Sequence, residues 1–473
     1  MKQLVRKTTY SFVFITLIGI SATLRGQNTP EQVMSLNEFL GYVKQYHPLV
    51  KQAQLDLNQA QAGVMAARGG FDPKIEVDYV NKRFNSIDYF EVLNGSFKIP
   101  TWYGIEVKAG FEQTEGVYIN PDQTFPTSGL ATLGITVPVG QGLFINQRMA
   151  DLRQAKLFRN LGQAERDLEV ARVLFEATLA YNDWYRDYRE YALYQTFLTN
   201  AEVRFRGIKT LIEQGDRPGI DSIEARILVS SRKLNLEQSR IKFVKSKLQL
   251  SNFLWIDNVP VELQDNIIPE SELETTIAET LKTNGLLFND VDLANHPKIK
   301  ALENKVGILR VEKKLKGDLL KPRIDLNYNY LSEPVLMNEW NMANYKYGVQ
   351  FSFPLFLRKE RGNFKMAKFK LQDAELDLDL ESVVLKNKID FQLQEITSLE
   401  EQLRLANQLV GDFTTMLQSE ERLFFFGESS IFLINARENS LLGSNLQLIS
   451  TQLRYCTAHA ELYQLLANPE LDD

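Results

Sequence analysis

Three stretches of this sequence hold the residue types from which a reactive or selective site is built. The first is acidic: Asp216, Asp221 and Glu224 follow Gly215, and Glu428 follows Gly427. Carboxylates brought together attract cations, so these four define a candidate cation-attracting cluster. Asp221 has a second reading, as an acid that merely opens a helix and complements its N-terminal dipole. The second stretch is aromatic. Phe424-Phe425-Phe426 precede Gly427 and suit a hydrophobic seal, a contact with another protein, or the core of a helical hairpin. The third, Gly140-Gln141-Gly142, lacks the Lys-Ser/Thr pair that completes a phosphate-binding loop. His47 and His296 each stand before a proline, far apart in sequence, and read as helix-junction residues rather than metal ligands. With His459 the only other histidine and Cys456 the only cysteine, no thiolate zinc cluster or internal disulfide is expected. No nucleophile–base set emerges. The expectation is a protein without catalytic residues, metal or cofactor.

Composition narrows the class. The 473 residues carry a formal net charge of −6, with a pI near 5.5, so no basic face offers itself to nucleic acid. Residues 1–26 read as a secretory signal peptide, with Lys2, Arg6 and Lys7 ahead of a short apolar run from Ser11 to Ala22 and cleavage before Gln27. No cysteine at that point suggests a lipid anchor. The mature chain is expected to be exported.

The elements that position these stretches come as two copies. His47-Pro48 returns as His296-Pro297, and the correspondence runs without a gap to Tyr79 and Tyr328, through Pro73 with Pro322 and Ile75 with Ile324. A repeat this long is a duplicated half-molecule rather than a solenoid unit. Each half reads as helix, strands, very long helix, turn, helix. The expected limits are 27–257 for the first repeat (strands about 74–139), 258–292 for an equatorial connection, and 293–473 for the second repeat (strands about 323–354), with Pro73 and Pro322 as helix-to-barrel junctions.

Past Pro73 the period changes to two: Ile75, Val77 and Tyr79 oppose Lys74, Glu76 and Asp78. Leu133, Ile135 and Val137 alternate in the same way. So do Tyr103, Ile105, Val107, Ala109 and Phe111; Ile324, Leu326, Tyr328 and Tyr330; and Tyr345, Tyr347, Val349, Phe351 and Phe353. Such strands suit a transmembrane barrel or a soluble sandwich. The long helices, Asn146–Glu213 and Arg358–Phe426, decide for the barrel. They have sevenfold spacing (Ala164, Ala171, Thr178, Tyr185, Ala192; Ile389, Ile396, Leu403, Val410, Leu417, Phe424) and a length of about 100 Å, which no single globular core buries. The shorter helices of each half, stacked end to end, match the long one beside them. One chain then makes two tall blades, so several chains must associate to close a tube and its barrel.

These features resemble the TolC-like outer-membrane efflux proteins. The resemblance rests on Ser35-Leu36-Asn37-Glu38-Phe39 leading to His47-Pro48, on Gly348 to Phe356 leading into a long helix, and on the two turns Gly215 to Arg226 and Gly427 to Arg437. It covers essentially the whole mature chain. It implies a mainly α-helical homotrimer, with one shared transmembrane β-barrel in outer-membrane lipid and a long periplasmic tunnel. It further implies docking of the tips on a periplasmic adaptor and an inner-membrane transporter, with passive export of what they deliver. On that view Gly215, Asp216, Asp221, Glu224, Phe426, Gly427 and Glu428 form the tunnel entrance or adaptor contact. The sequence departs from the family in a second turn that is nearly free of acids, and in a long insert between Tyr79 and Gly129. The insert holds a strand at about 102–112 and a weaker mate at about 88–99. The expectation is four wall strands per chain, twelve in a trimer, with the inserted pair as an external decoration. The alternatives are six strands per chain in the wall and, in another class altogether, a trimeric coiled-coil surface or scaffold protein with a soluble β head.

Overall fold

The computed structural model describes residues 31–121, 124–286, 291, 293–334 and 341–468. The expected signal peptide lies outside them. In chain order the elements are β1 (Gln32–Met34), α1 (Leu36–Tyr46), α2 (Pro48–Arg68), β2 (Lys74–Phe84), β3 (Ile87–Pro100), β4 (Glu106–Glu115), β5 (Leu130–Pro138), α3 (Gln147–Glu213) and α4 (Ile220–Ser251). There follow β6 (Trp255–Ile256), β7 (Val259–Pro260), β8 (Ile267–Pro269), α5 (Leu273–Thr280), α6 (Pro297–Asp318), β9 (Arg323–Ser332), β10 (Tyr345–Ser352), α7 (Arg358–Phe425) and α8 (Ile431–Leu466).

The long helices α3 and α7 have 67 and 68 residues. α3 begins where the Asn146 side chain accepts the Met149 N–H at 2.9 Å, an N-cap that satisfies one of the helix's orphan donors. Its sevenfold seam is buried at Ala164, Ala171, Thr178 and Tyr185. Along α3, α2 packs the segment near Arg166 and Gly162, and α4 packs the segment from Glu190 to Ile208. α6 and α8 share α7 in the same way. The halves join where α3 packs on α6 and α8.

The main core sits midway along the helices. α1, α5 and the ends of α4 and α8 close around Tyr181, Trp184 and Tyr185 of α3, with the parallel pair β1–β8 beside them. Tyr181 donates to the Met34 carbonyl at 2.6 Å, and Tyr185 to Glu274 at 3.0 Å. His47 and His296 cap α2 and α6: each Nδ1 accepts a backbone N–H two residues on, from Leu49 at 3.3 Å and Lys298 at 3.1 Å. A cap built this way uses the neutral imidazole, and burial lowers the pKa of both rings.

The six long strands form one antiparallel sheet in the order β10-β9-β5-β4-β3-β2. Here the structure corrects the expected decoration. The pair from the insert, β3 and β4, stands inside the sheet between β2 and β5, bonded to each along its length. Tyr103 and Ile105, read as strand residues, belong instead to the turn before β4. Gly104 has φ +76° there, and Thr101 donates both its N–H and its hydroxyl to the Ile105 carbonyl.

His459 gives a pH test of the core. It is buried beside Thr283 (Nδ1 to Oγ1, 2.7 Å), and burial lowers its pKa from 6.5 to about 4. The unfolded chain therefore takes up this proton first as pH falls, so the stability contributed is full above pH 6.5 and drains away as pH falls toward 4. The expected loss is on the order of 3 kcal/mol. Urea midpoints measured between pH 7 and 4 should fall, and His459→Gln should flatten that fall. An unchanged slope in the variant contradicts the assignment.

Candidate functional site: barrel wall, junction and helical tips

Register places the alternating apolar positions of the helix-side part of the sheet on one face, while Val80, Val92, Leu130 and Leu331, nearer the outer ends, fall on the other. A single row crosses the whole sheet: Ile75, Phe97, Ala109, Leu133, Tyr330 and Tyr345. The next rows carry Ile99, Val107, Ile135, Tyr328 and Tyr347, then Val137, Leu326 and Val349. These side chains are open to the surroundings, with Ile75 77%, Tyr347 71% and Phe351 67% exposed. An exposed apolar face this broad exceeds what a water-soluble monomer displays. The opposite face is polar, with Lys74, Lys98, Lys108, Gly134, Asn329 and Lys346 along one row. Glu76 pairs with Lys98, and Glu106 with Lys108 and Arg148.

Both junction prolines sit where a helix gives way to a strand. Pro73 follows a short turn at Gly69–Phe71 and leads into β2. Pro322 leads into β9, and its carbonyl accepts the Gln141 N–H at 3.0 Å. The glycines that failed as a phosphate loop have a mechanical role here. A Cβ on Gly140 would lie 2.2 Å from the Pro322 carbonyl oxygen, and the Gly142 N–H donates to Asp318 at 2.6 Å. Strand ends of the first half are thereby tied to the helix end of the second.

At the other end, α3–α4 and α7–α8 turn in equivalent ways. Gly215 and Gly427 have φ of +84° and +78°. The next residue of each, Asp216 or Glu428, donates its N–H back across the turn to Leu211 or Leu423, both at 2.9 Å. This is the left-handed glycine cap that ends many helices. Asp216 and Glu428 thus occupy matching, exposed positions. The other two acids are differently placed. Asp221 lies in the first turn of α4, in keeping with its helix-opening reading, and Glu224 accepts from Asn435 at 3.1 Å, tying the two hairpins together. Of the three phenylalanines only Phe424 joins the hairpin core, with Ile208, Ala225 and Ile431 and under the Arg217 guanidinium at 4.5 Å. Phe425 and Phe426 stand 84% and 73% exposed, so the hairpin-core reading fails for them. With Ile220, Ile223 and Phe432 they leave the tips markedly apolar.

Sequence reasoning missed the cluster above the tips. Glu438 of α8 is buried and takes Arg204 of α3 and Arg232 of α4, the latter at 3.6 Å. Arg204 also reaches Glu421 of α7 at 3.2 Å, and Arg232 donates to Asn439 at 2.6 Å. One carboxylate thus binds both hairpins. Burial lowers the pKa of Arg232, with Glu438 opposing that shift. The signal for this cluster was present: Ile431, Ile434, Asn435, Glu438 and Leu442 share one buried helical stripe. Glu438→Ala leaves the buried Arg232 and the part-buried Arg204 without this carboxylate, and the expected loss is about 3–5 kcal/mol. Denaturant unfolding of the purified variant measures it; a loss under about 1 kcal/mol would mean the pair behaves as a surface one.

Comparison with known proteins agrees with this geometry. Residues 290–468 match the family model for outer membrane efflux proteins. A search of curated proteins returns no match. Among solved structures, the open MtrE outer membrane channel of Neisseria gonorrhoeae aligns with a TM-score of 0.64 at 13% identity, covering 93% of this chain and 90% of that one. The CmeC outer membrane channel of Campylobacter jejuni gives 0.63 at 11%, covering 98% and 95%. The outer membrane protein VceC of Vibrio cholerae gives 0.63 at 14%, covering 92% and 96%. The second half thus matches the outer membrane efflux protein family by sequence, and the chain as a whole shares the fold of these outer-membrane channels.

Proposed function

We propose that this protein is the outer-membrane exit duct of a tripartite efflux or type I secretion system. Three copies share one barrel and one tunnel, and passively pass on what an inner-membrane transporter and a periplasmic adaptor deliver. The observation that carries this reading is the sheet with one continuous apolar face and one polar face, set on helices about 100 Å long. Lipid solvates the first face and water in the lumen the second. A soluble β head has no reason to turn its aromatic rows outward, which disfavours the scaffold alternative.

The tips suit a docking end. Phe425, Phe426 and Phe432 expose apolar area around Gly427, and Asp216 and Glu428 set a charge beside it. We assign Gly215, Asp216, Phe426, Gly427 and Glu428 to the adaptor contact and tunnel entrance. Asp221 and Glu224 serve helix start and hairpin pairing.

Purified protein added to a planar bilayer should give stable, ohmic single-channel currents, and persistent absence of current overturns the duct. In cells, photo-crosslinkers at Asp216 and Phe426 should capture an adaptor, whereas one at exposed Phe158, high on α3, should not.

A further inference from the structure

Resting on the proposed duct, we propose that each subunit supplies six strands to the barrel wall, with β10 of one copy bonded to β2 of the next. A trimer then closes at eighteen strands, around a pore as wide as the helical tunnel below it.

Three observations converge. First, the inserted pair has the same two faces as the rest of the wall. Phe97, Ile99, Val107 and Phe111 continue the apolar rows, and Lys98, Lys108 and Glu106 continue the polar ones. A decoration outside the barrel would break both.

Second, the inner turn of the pair is seated on the helical rim. Trp102 stacks on Phe71 with centroids 5.5 Å apart, and the Arg153 guanidinium lies 5.4 Å from the Trp102 ring. Asn146, the cap of α3, donates to the Trp102 carbonyl at 3.0 Å, and Arg148 pairs with Glu106 at 3.0 Å. The β3–β4 hairpin therefore spans from the rim outward, as its neighbours do.

Third, the slant of the sheet is that of a closed barrel. The row starting at Lys74, the first residue of β2, crosses Lys98, Lys108, Gly134 and Asn329 to Lys346. Measured from the helix-side end of each strand it climbs steadily: Lys98 and Lys108 stand two residues in, Gly134 four, and Asn329 and Lys346 six. Six residues at about 3.3 Å make about 20 Å of climb over five spacings of about 4.8 Å, a tilt of about 40°. Closed barrels tilt by about 35–45°. At that tilt six strands occupy about 38 Å of wall. The four helix columns below (α2, α3, α6 and α7), packed side by side, occupy about 32–40 Å. Four strands would cover only about 25 Å and force a taper.

The open edges fit a second copy of the same chain. β2 runs away from the helices and β10 toward them, so their pairing is antiparallel, and lipid does not tolerate either edge unpaired. Three copies give a backbone-to-backbone diameter of about 36 Å. The barrel then does not restrict cargo that the tunnel admits.

Electron-microscopic imaging of the purified protein in detergent decides the count, with a conductance assay alongside. The expected result is a trimer with eighteen continuous strands. Asn94→Cys, on the polar face of β3, should react with a bulky charged thiol reagent and lose roughly a tenth or more of its single-channel conductance. Phe97→Cys, on the lipid face, should not react. A trimer with twelve wall strands, or an Asn94→Cys channel unchanged by the reagent, overturns the six-strand wall and leaves the duct standing. Particles that are not trimers overturn the duct and this inference together.

Discussion

Backbone amides and carbonyls cannot be left unpaired in hydrocarbon, and this requirement organises the molecule. On the proposed reading, lipid solvates the face that carries the rows of tyrosine, phenylalanine, valine and isoleucine, and the sheet must then find partners for both of its edges. One chain ends in two open edges, at β2 and β10. On the proposed trimer, the rest of the protein brings identical edges together at the right height and angle and holds the resulting wall on a tube.

The duplication does most of that positioning. Each half sends a helix into a strand at a proline and receives a strand back into a very long helix, so the two halves meet the sheet with the same geometry. They are then tied to one another at both ends: by Pro322 against Gly140 and Gln141 at the barrel rim, and by Glu438, Arg204 and Arg232 near the tips. Between these ties the helices pack through alanine-rich seams. The midway core around Tyr181, Trp184 and Tyr185 carries the largest fully buried side chains.

Much of this was legible in the residues. The long helices were found to within a residue at both ends, because a proline-free stretch with sevenfold spacing is a local signal. The prolines and the left-handed glycines at the tips are local as well. The pairing of β3 was not. Asn94-Gly95-Ser96 interrupts its apolar alternation, and whether such a strand lies in a wall or beside it depends on partners far along the chain. The three phenylalanines were misjudged as a group because successive helical residues point about 100° apart, so one enters the core and its neighbours cannot. Glu438 was passed over because acids on long helices are usually solvated, although its place on the apolar stripe marked it as an exception.

The medium that meets each face of β10 decides whether the sheet is a membrane wall. Spin labels placed one at a time at positions 345 to 351 of the reconstituted protein report contact with lipid through oxygen, and with water through a soluble nickel chelate. Lipid contact is expected at 345, 347, 349 and 351, and water contact at 346, 348 and 350. Water contact at all seven positions, or protection of the tyrosines from both reagents, would mean that the aromatic rows face something other than a bilayer.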